Sequence, residues 1–151
     1  EGSEIDEKDH AKSNLSSIGT LARIVDWDQL PNGLLGITIQ GGERFFLLDS
    51  WKQENALVLG NINIFQSDTY AQMRKEWAPL LDVLHRIKQH PHVKRMNLEI
   101  NEEDAWQVGF ILSQLLPIVE IDKHELLGLK DIEELMEKLE KMLSEMSGEK
   151  Q

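Results

Sequence analysis

The chain has 151 residues, 40% of them apolar and 28% charged, which describes one ordinary folded domain and leaves no room for a largely disordered protein. Its formal net charge is −11 and it has no cysteine. The acidity speaks against neutralising nucleic-acid phosphates, and the missing thiols exclude disulfides, zinc ribbons and thiol catalysis; both fit a reducing, cytoplasmic compartment.

Residues 1–17 are polar and read as a flexible lead-in, without the basic and apolar blocks of a secretory signal. The first residue is not Met, so upstream residues are expected to have been lost. Residues 18–67 read as a β subdomain. Thr20–Trp27 is rich in β-branched and aromatic residues, and Pro31-Asn32-Gly33 supplies a turn. Leu34–Gln40 alternates, with Leu35, Ile37 and Ile39 on one face. Gly41-Gly42 predicts a two-residue hairpin loop, Glu43–Trp51 the returning strand, and Ala56–Phe65 a fourth strand with Val58, Ile62 and Ile64 in phase.

Residues 68–146 read as helical. Ser67-Asp68-Thr69 can cap a helix whose stripe runs from Tyr70 through Met73, Trp77, Leu80 and Leu84 to Ile87, with a kink or break at Pro79 and an end at Pro91. Met96, Leu98 and Ile100 alternate as a short extended piece. Asn101 with Asp104 opens a second helix, stopped by Pro117. Asp122 with Glu125 and Asp131 with Glu134 are capping pairs, the second ahead of a stripe from Ile132 to Met146. Residues 147–151 read as a disordered tail. Strands first and helices afterwards define an α+β fold.

The charge is uneven. Residues 99–151 hold 14 acids against 5 bases, while residues 70–98 hold six bases against two acids, so the two regions are expected to pair. No phosphate-binding glycine loop and no nucleophile elbow is present, and no catalytic residue or cofactor is expected. His85, His90 and His92 are spaced poorly for a metal. Glu102-Glu103-Asp104 reads as a complement to a helix dipole, and Met136, Met142 and Met146 as packing.

The expected Gly41-Gly42 loop sets Ile37 opposite Phe46 and Leu35 opposite Leu48 on one face. On the other, Thr38 faces Phe45, Gly36 faces Leu47 and Leu34 faces Asp49. That second face is apolar and shallow. Either a helix or strand of the chain covers it, or Leu34, Phe45 and Leu47 form a patch that receives extended or unfolded polypeptide.

Gly19-Thr20-Leu21-Ala22-Arg23-Ile24-Val25, then Gly33-Leu34-Leu35-Gly36-Ile37, then Gly42-Glu43-Arg44-Phe45-Phe46-Leu47 resembles the N-terminal domain of the Lon protease, above all the free-standing bacterial proteins built from that domain alone. Trp106-Gln107-Val108-Gly109-Phe110, Leu115-Leu116-Pro117 and the helices between Lys123 and Met142 are similar to the family's C-terminal helices. The resemblance implies a PUA-like antiparallel meander or pseudo-barrel followed by helices, a part in recognising substrates for proteolysis, and neither ATPase nor peptidase site. It implies a protein or polypeptide partner; PUA-like barrels also host RNA recognition, which the net charge disfavours. No membrane partner is expected. Family members begin with about two further strands and a helix. The edge strand Thr20–Trp27 is therefore expected to be completed by a homodimer or by a separate N-terminal segment.

Overall fold

In the structure, a computed structural model, residues 15–65 and 70–148 are described. The chain divides into two compact units, residues 1–66 and 67–151. The capping call at Ser67-Asp68-Thr69 and most of the lead-in lie outside the described residues.

The first unit holds a three-stranded antiparallel sheet in the order β1-β2-β3, with β1 Ile18–Gln29, β2 Leu35–Lys52 and β3 Val58–Ile64. Its pairing begins at Ser17, whose carbonyl accepts from Leu47 N at 2.8 Å, so the expected lead-in ends a residue sooner. Leu30-Pro31-Asn32-Gly33 makes the first turn, with Gly33 N donating to Leu30 O at 2.8 Å and Gly33 at φ +81°.

The hairpin expected at Gly41-Gly42 does not form. A two-residue primed turn needs positive φ at its first central residue, and neither glycine has it. Both lie inside the 18-residue strand β2, where the register against β1 slips between Thr20 and Ala22. The glycines thus sit at a bulge, and the two strands expected on either side of them are one. The cross-strand pairs expected within residues 34–49 fall with that loop. Ile37 lies opposite Trp27, Leu35 opposite Gln29, and Phe45 between Gly19 and Ile64.

The second turn, Gln53-Glu54-Asn55-Ala56, copies the first. Ala56 N donates to Gln53 O, Gln53 N to Leu57 O, and Leu57 N to Asn55 Oδ1, matching Gly33, Leu30 and Leu34 with Asn32. Ala56 occupies the left-handed position at φ +66° that Gly33 fills in the first turn.

Among its described residues the second unit holds a short 3-10 turn, Lys75–Trp77, and five helices: α1 Ala78–Lys88, α2 Pro91–Arg95, α3 Ala105–Leu115, α4 Glu120–Gly128 and α5 Ile132–Gly148. Pro79 neither kinks nor breaks α1. It lies in the first turn, where its missing N–H would have had no partner. Pro91 likewise opens α2 instead of only ending what precedes it. The extended piece expected at Met96–Ile100 is turn and irregular chain.

Asp104 caps α3 by accepting from Trp106 N at 3.1 Å, and Asp131 caps α5 by accepting from Glu133 N at 2.8 Å. Asp122 caps nothing: α4 starts after Val119 without a side-chain cap and Asp122 is in its first turn. Helix α5 runs through Gly148, so Ser147 and Gly148 belong to it and not to the expected tail.

The core cluster lies wholly in this unit, from Trp77, Leu80 and Leu84 through Val108 and Leu112 to Leu135, Met136 and Leu139. Gly109 lets α5 approach α3, since a Cβ there would stand 2.7 Å from Leu135 Cδ2.

Candidate functional site

Between β1 and the first half of β2 the alternation of side chains produces a ribbon with two unlike faces. Ile24 pairs with Ile39, Trp27 with Ile37 and Gln29 with Leu35, which puts five large apolar groups on one side. Arg23 pairs with Gln40, Asp26 with Thr38 and Asp28 with Gly36, so the reverse is polar; Arg23 Nη2 donates to Gln40 Oε1 at 2.8 Å. A second slip, between Ile24 and Asp26, keeps the two rows in phase by taking Val25 out of the pairing.

A polar reverse and an apolar front is the pattern of a sheet packed on a core. Here the front is open: Trp27 is 68% exposed, Leu35 65%, Ile24 59%, Ile39 58% and Ile37 53%. Leu34, in the turn at the ribbon's end, is exposed as well.

Phe45 and Leu47 lie further along β2, ten residues and more beyond the turn, or about 30 Å of extended strand. They share a face with Ile64 and Ile62 of β3 and are half-buried. Each rests on a glycine. A Cβ on Gly19 would stand 2.6 Å from the Phe45 ring, and one on Gly60 the same distance from Leu47 Cδ1. The structure therefore brings Phe45 and Leu47 together and leaves Leu34 apart from them. On their reverse, Phe46 stacks on Phe65 at 4.1 Å between centroids, and the buried Arg44 guanidinium lies 4.5 Å from the centre of the Phe65 ring.

What sequence reasoning missed is the Trp27–Ile37 and Ile24–Ile39 pairing. The signal was present in the alternation of Leu35, Ile37 and Ile39. A turn at Gly41-Gly42 would give that face a different partner strand, and the bulge there gives it β1.

Several charged groups of the second unit are tied to one another. Glu102 accepts from Lys88 Nζ at 2.8 Å and lies 2.8 Å from His85 Nε2, and these contacts, Lys88 first, hold its carboxyl below the usual range. Arg74 pairs with Glu133 at 2.7 Å and Glu76 at 3.3 Å, which raises its pKa. The expected pairing of the basic 70–98 stretch with the acidic remainder is thus made by Arg74 and Lys88. Of the three expected dipole acids, Asp104 is the cap and Glu102 the ion-pair centre, while Glu103 gives its carbonyl to Met73 N at 2.8 Å.

Among the described residues no group of three His, Asp or Glu side chains is placed to hold a metal, and no helix is long and apolar enough to cross a membrane. Met136 is fully buried and Met142 and Met146 pack against the core, as expected of packing residues. In α3, Trp106 stacks on Phe110, and Gln107 bridges Asp104 Oδ2 and Asn101 N.

An antiparallel meander followed by helices, with exposed apolar side chains on the strands and buried ones on the helices, defines an α+β module. Residues 2–147 match the family of the ATP-dependent protease La (LON) substrate-binding domain. The chain belongs to that family, whose domain is not the catalytic domain of the protease. It is 26% identical over 150 residues to Lon protease 2 of Herpetosiphon aurantiacus, covering 93% of this chain and 18% of that one. It therefore spans less than a fifth of that relative's length. The fold is similar to the crystal structure of a Lon N-terminal domain protein from Xanthomonas campestris, with TM-score 0.67 and 29% identity over 82% of this chain and 66% of that one. It is also similar to the N-terminal domain of the Mycobacterium avium complex Lon protease, with TM-score 0.55 over 82% and 67%; at 17% identity that likeness concerns the fold alone.

Proposed function

We propose that this chain is a non-enzymatic recognition module that binds polypeptide segments in substrate recognition for proteolysis, in a cytoplasmic compartment with which the lack of cysteine is compatible. The observation that carries the reading is the open apolar front of the β1–β2 ribbon. Five large side chains in two paired rows, backed by a polar reverse, form a surface that water solvates poorly and that an extended, partly unfolded segment can cover. β1 is also a sheet edge, so its free backbone groups can pair with an incoming strand. Leu34 extends the surface at the turn. Phe45, opposite Gly19, and Leu47 continue the face of Arg23 and not the apolar front, so they offer a separate contact further along β2.

Membership of the LON substrate-binding domain family supports the same reading. The test is a titration with a permanently unfolded polypeptide, read by acrylamide quenching. Trp27 is exposed whereas Trp77 and Trp106 are buried, so binding over the ribbon should protect a quenchable emission. Ile37→Asp should weaken binding by about tenfold or more, as removal of a central apolar anchor does. Binding unaltered in Ile37→Asp, or no protection at saturation, would overturn the assignment to this face.

A further inference from the structure

We infer that the same apolar front is, when no client occupies it, the interface of a homodimer in which two ribbons pack face to face. The inference concerns the surface and stands whether or not polypeptide binds there. Ile24, Trp27, Leu35, Ile37 and Ile39 are each more than half exposed, which leaves on the order of 600 Å² of apolar surface per chain. Two copies stacked front to front would remove about 1,200 Å² from water, the lower bound of specific and stable interfaces.

The charge distribution permits this approach in spite of the formal −11. Arg23, Asp26 and Asp28, the charged residues paired between the first turn and the glycine bulge, lie in the row that forms the ribbon's reverse. A two-fold axis in the plane of the interface would set each row of aliphatic groups against its own copy at the spacing of stacked sheets, about 10 Å. A homodimer was expected for completing the β1 edge; the ribbon supplies a different and larger surface, since edge pairing would leave the apolar front uncovered.

Sedimentation velocity over a dilution series tests the proposal, with tryptophan emission followed in parallel. The wild-type chain should pass from one-chain to two-chain mass as its concentration rises, with a blue shift as Trp27 leaves water. Ile37→Asp and Leu35→Lys should each raise the dimer dissociation constant by at least about tenfold. Thr38→Lys, on the reverse and opposite Asp26, should leave it unchanged; far-UV dichroism and the melting of the helices report whether each variant folds. A wild-type chain of one-chain mass at every concentration, or front variants that dimerise as well as wild type, would overturn the proposal. Titrating an unfolded polypeptide into the dimer separates the two readings. Dissociation supports a shared face, a client-saturated intact dimer refutes it, and a dimer that binds no client leaves the interface standing while the polypeptide reading fails.

Discussion

The two units of this chain place the same kind of residue in opposite surroundings. In the helical unit Leu80, Leu84, Val108, Leu112, Leu135, Met136 and Leu139 have no exposed surface at all. In the sheet unit, among the described residues, only Phe65 and Arg44 are buried, while Ile24, Trp27, Leu35, Ile37 and Ile39 stand open. Burial of a Leu or Ile side chain stabilises by about 1.5–3 kcal/mol, so the helical unit collects that contribution many times over and the ribbon hardly at all. Long antiparallel pairing gives the ribbon its shape: the 18-residue β2 pairs with β1 over its first part and with β3 over its second, with partners on both sides only at Phe45 and Phe46. Stability and display are thereby assigned to different parts of the sequence.

Truncation to alanine should break this contrast with the largest effect. Leu112→Ala, in the middle of α3, removes fully buried atoms and leaves a cavity, and should cost about 2–5 kcal/mol in chemical denaturation followed by far-UV dichroism. At a dilution where the chain is monomeric, Ile37→Ala removes similar chemistry from the ribbon front and should change stability by less than about 0.5 kcal/mol, as exposed substitutions do. Equal losses at the two sites would mean that the ribbon front is not open in solution.

How much of this was legible in the sequence follows the same division. Helix α5 shows its stripe and its cap plainly, because Asp131 and the spacing of Leu135, Met136 and Leu139 are local signals of a 3.6-residue period. Asp104 was readable for the same reason. The ribbon was half legible. Alternation in Leu35, Ile37 and Ile39 identified the face, but which strand lies opposite is decided by where the chain turns. Two adjacent glycines suit a hairpin and a bulge alike, and only their negative φ, a property of the folded chain, distinguishes the two. The Gln53–Ala56 turn had no glycine to announce it. At Pro79 the residue was read correctly and its position within the helix was not, since a proline that breaks an interior opens a first turn.

The two turns allow a sharper comparison with a smaller effect, because their hydrogen bonding is the same and their left-handed residue differs. Gly33→Ala meets no neighbouring atom within 4 Å, so its cost is that of the backbone alone, about 1 kcal/mol. Ala56→Gly relieves the corresponding strain at φ +66° and should stabilise by roughly 0.5–1 kcal/mol after the extra freedom of glycine in the unfolded chain is offset. Denaturation midpoints that shift in opposite directions establish the equivalence of the turns. A shift of the same sign in both would show that Ala56 is held by something other than turn geometry.

Glu102 gives the smallest expected effect, and it separates the units by pH. Lys88, and after it His85, hold the carboxyl below its ordinary value in the folded chain. A carboxyl depressed by folding contributes stability that is fully present above its unfolded pKa, about 4.3, and that is lost as pH falls through the lower folded value. The contribution is small because Glu102 is more than a third exposed and its partners are screened by water and salt. Melting of the helical unit should accordingly move down slightly between neutral pH and about pH 3 more in wild type than in Glu102→Gln, whose side chain has no proton to gain. The difference between the two proteins should narrow as the pH falls and as salt is added. Glu102 pairs with Lys88 and His85 of the helical unit, so ribbon self-association followed by Trp27 emission should not track the Glu102 titration. A wild-type and Glu102→Gln pair with parallel pH profiles would show that the Lys88–Glu102 contact contributes nothing to folding, and would remove the ion-pair part of the contrast between the units.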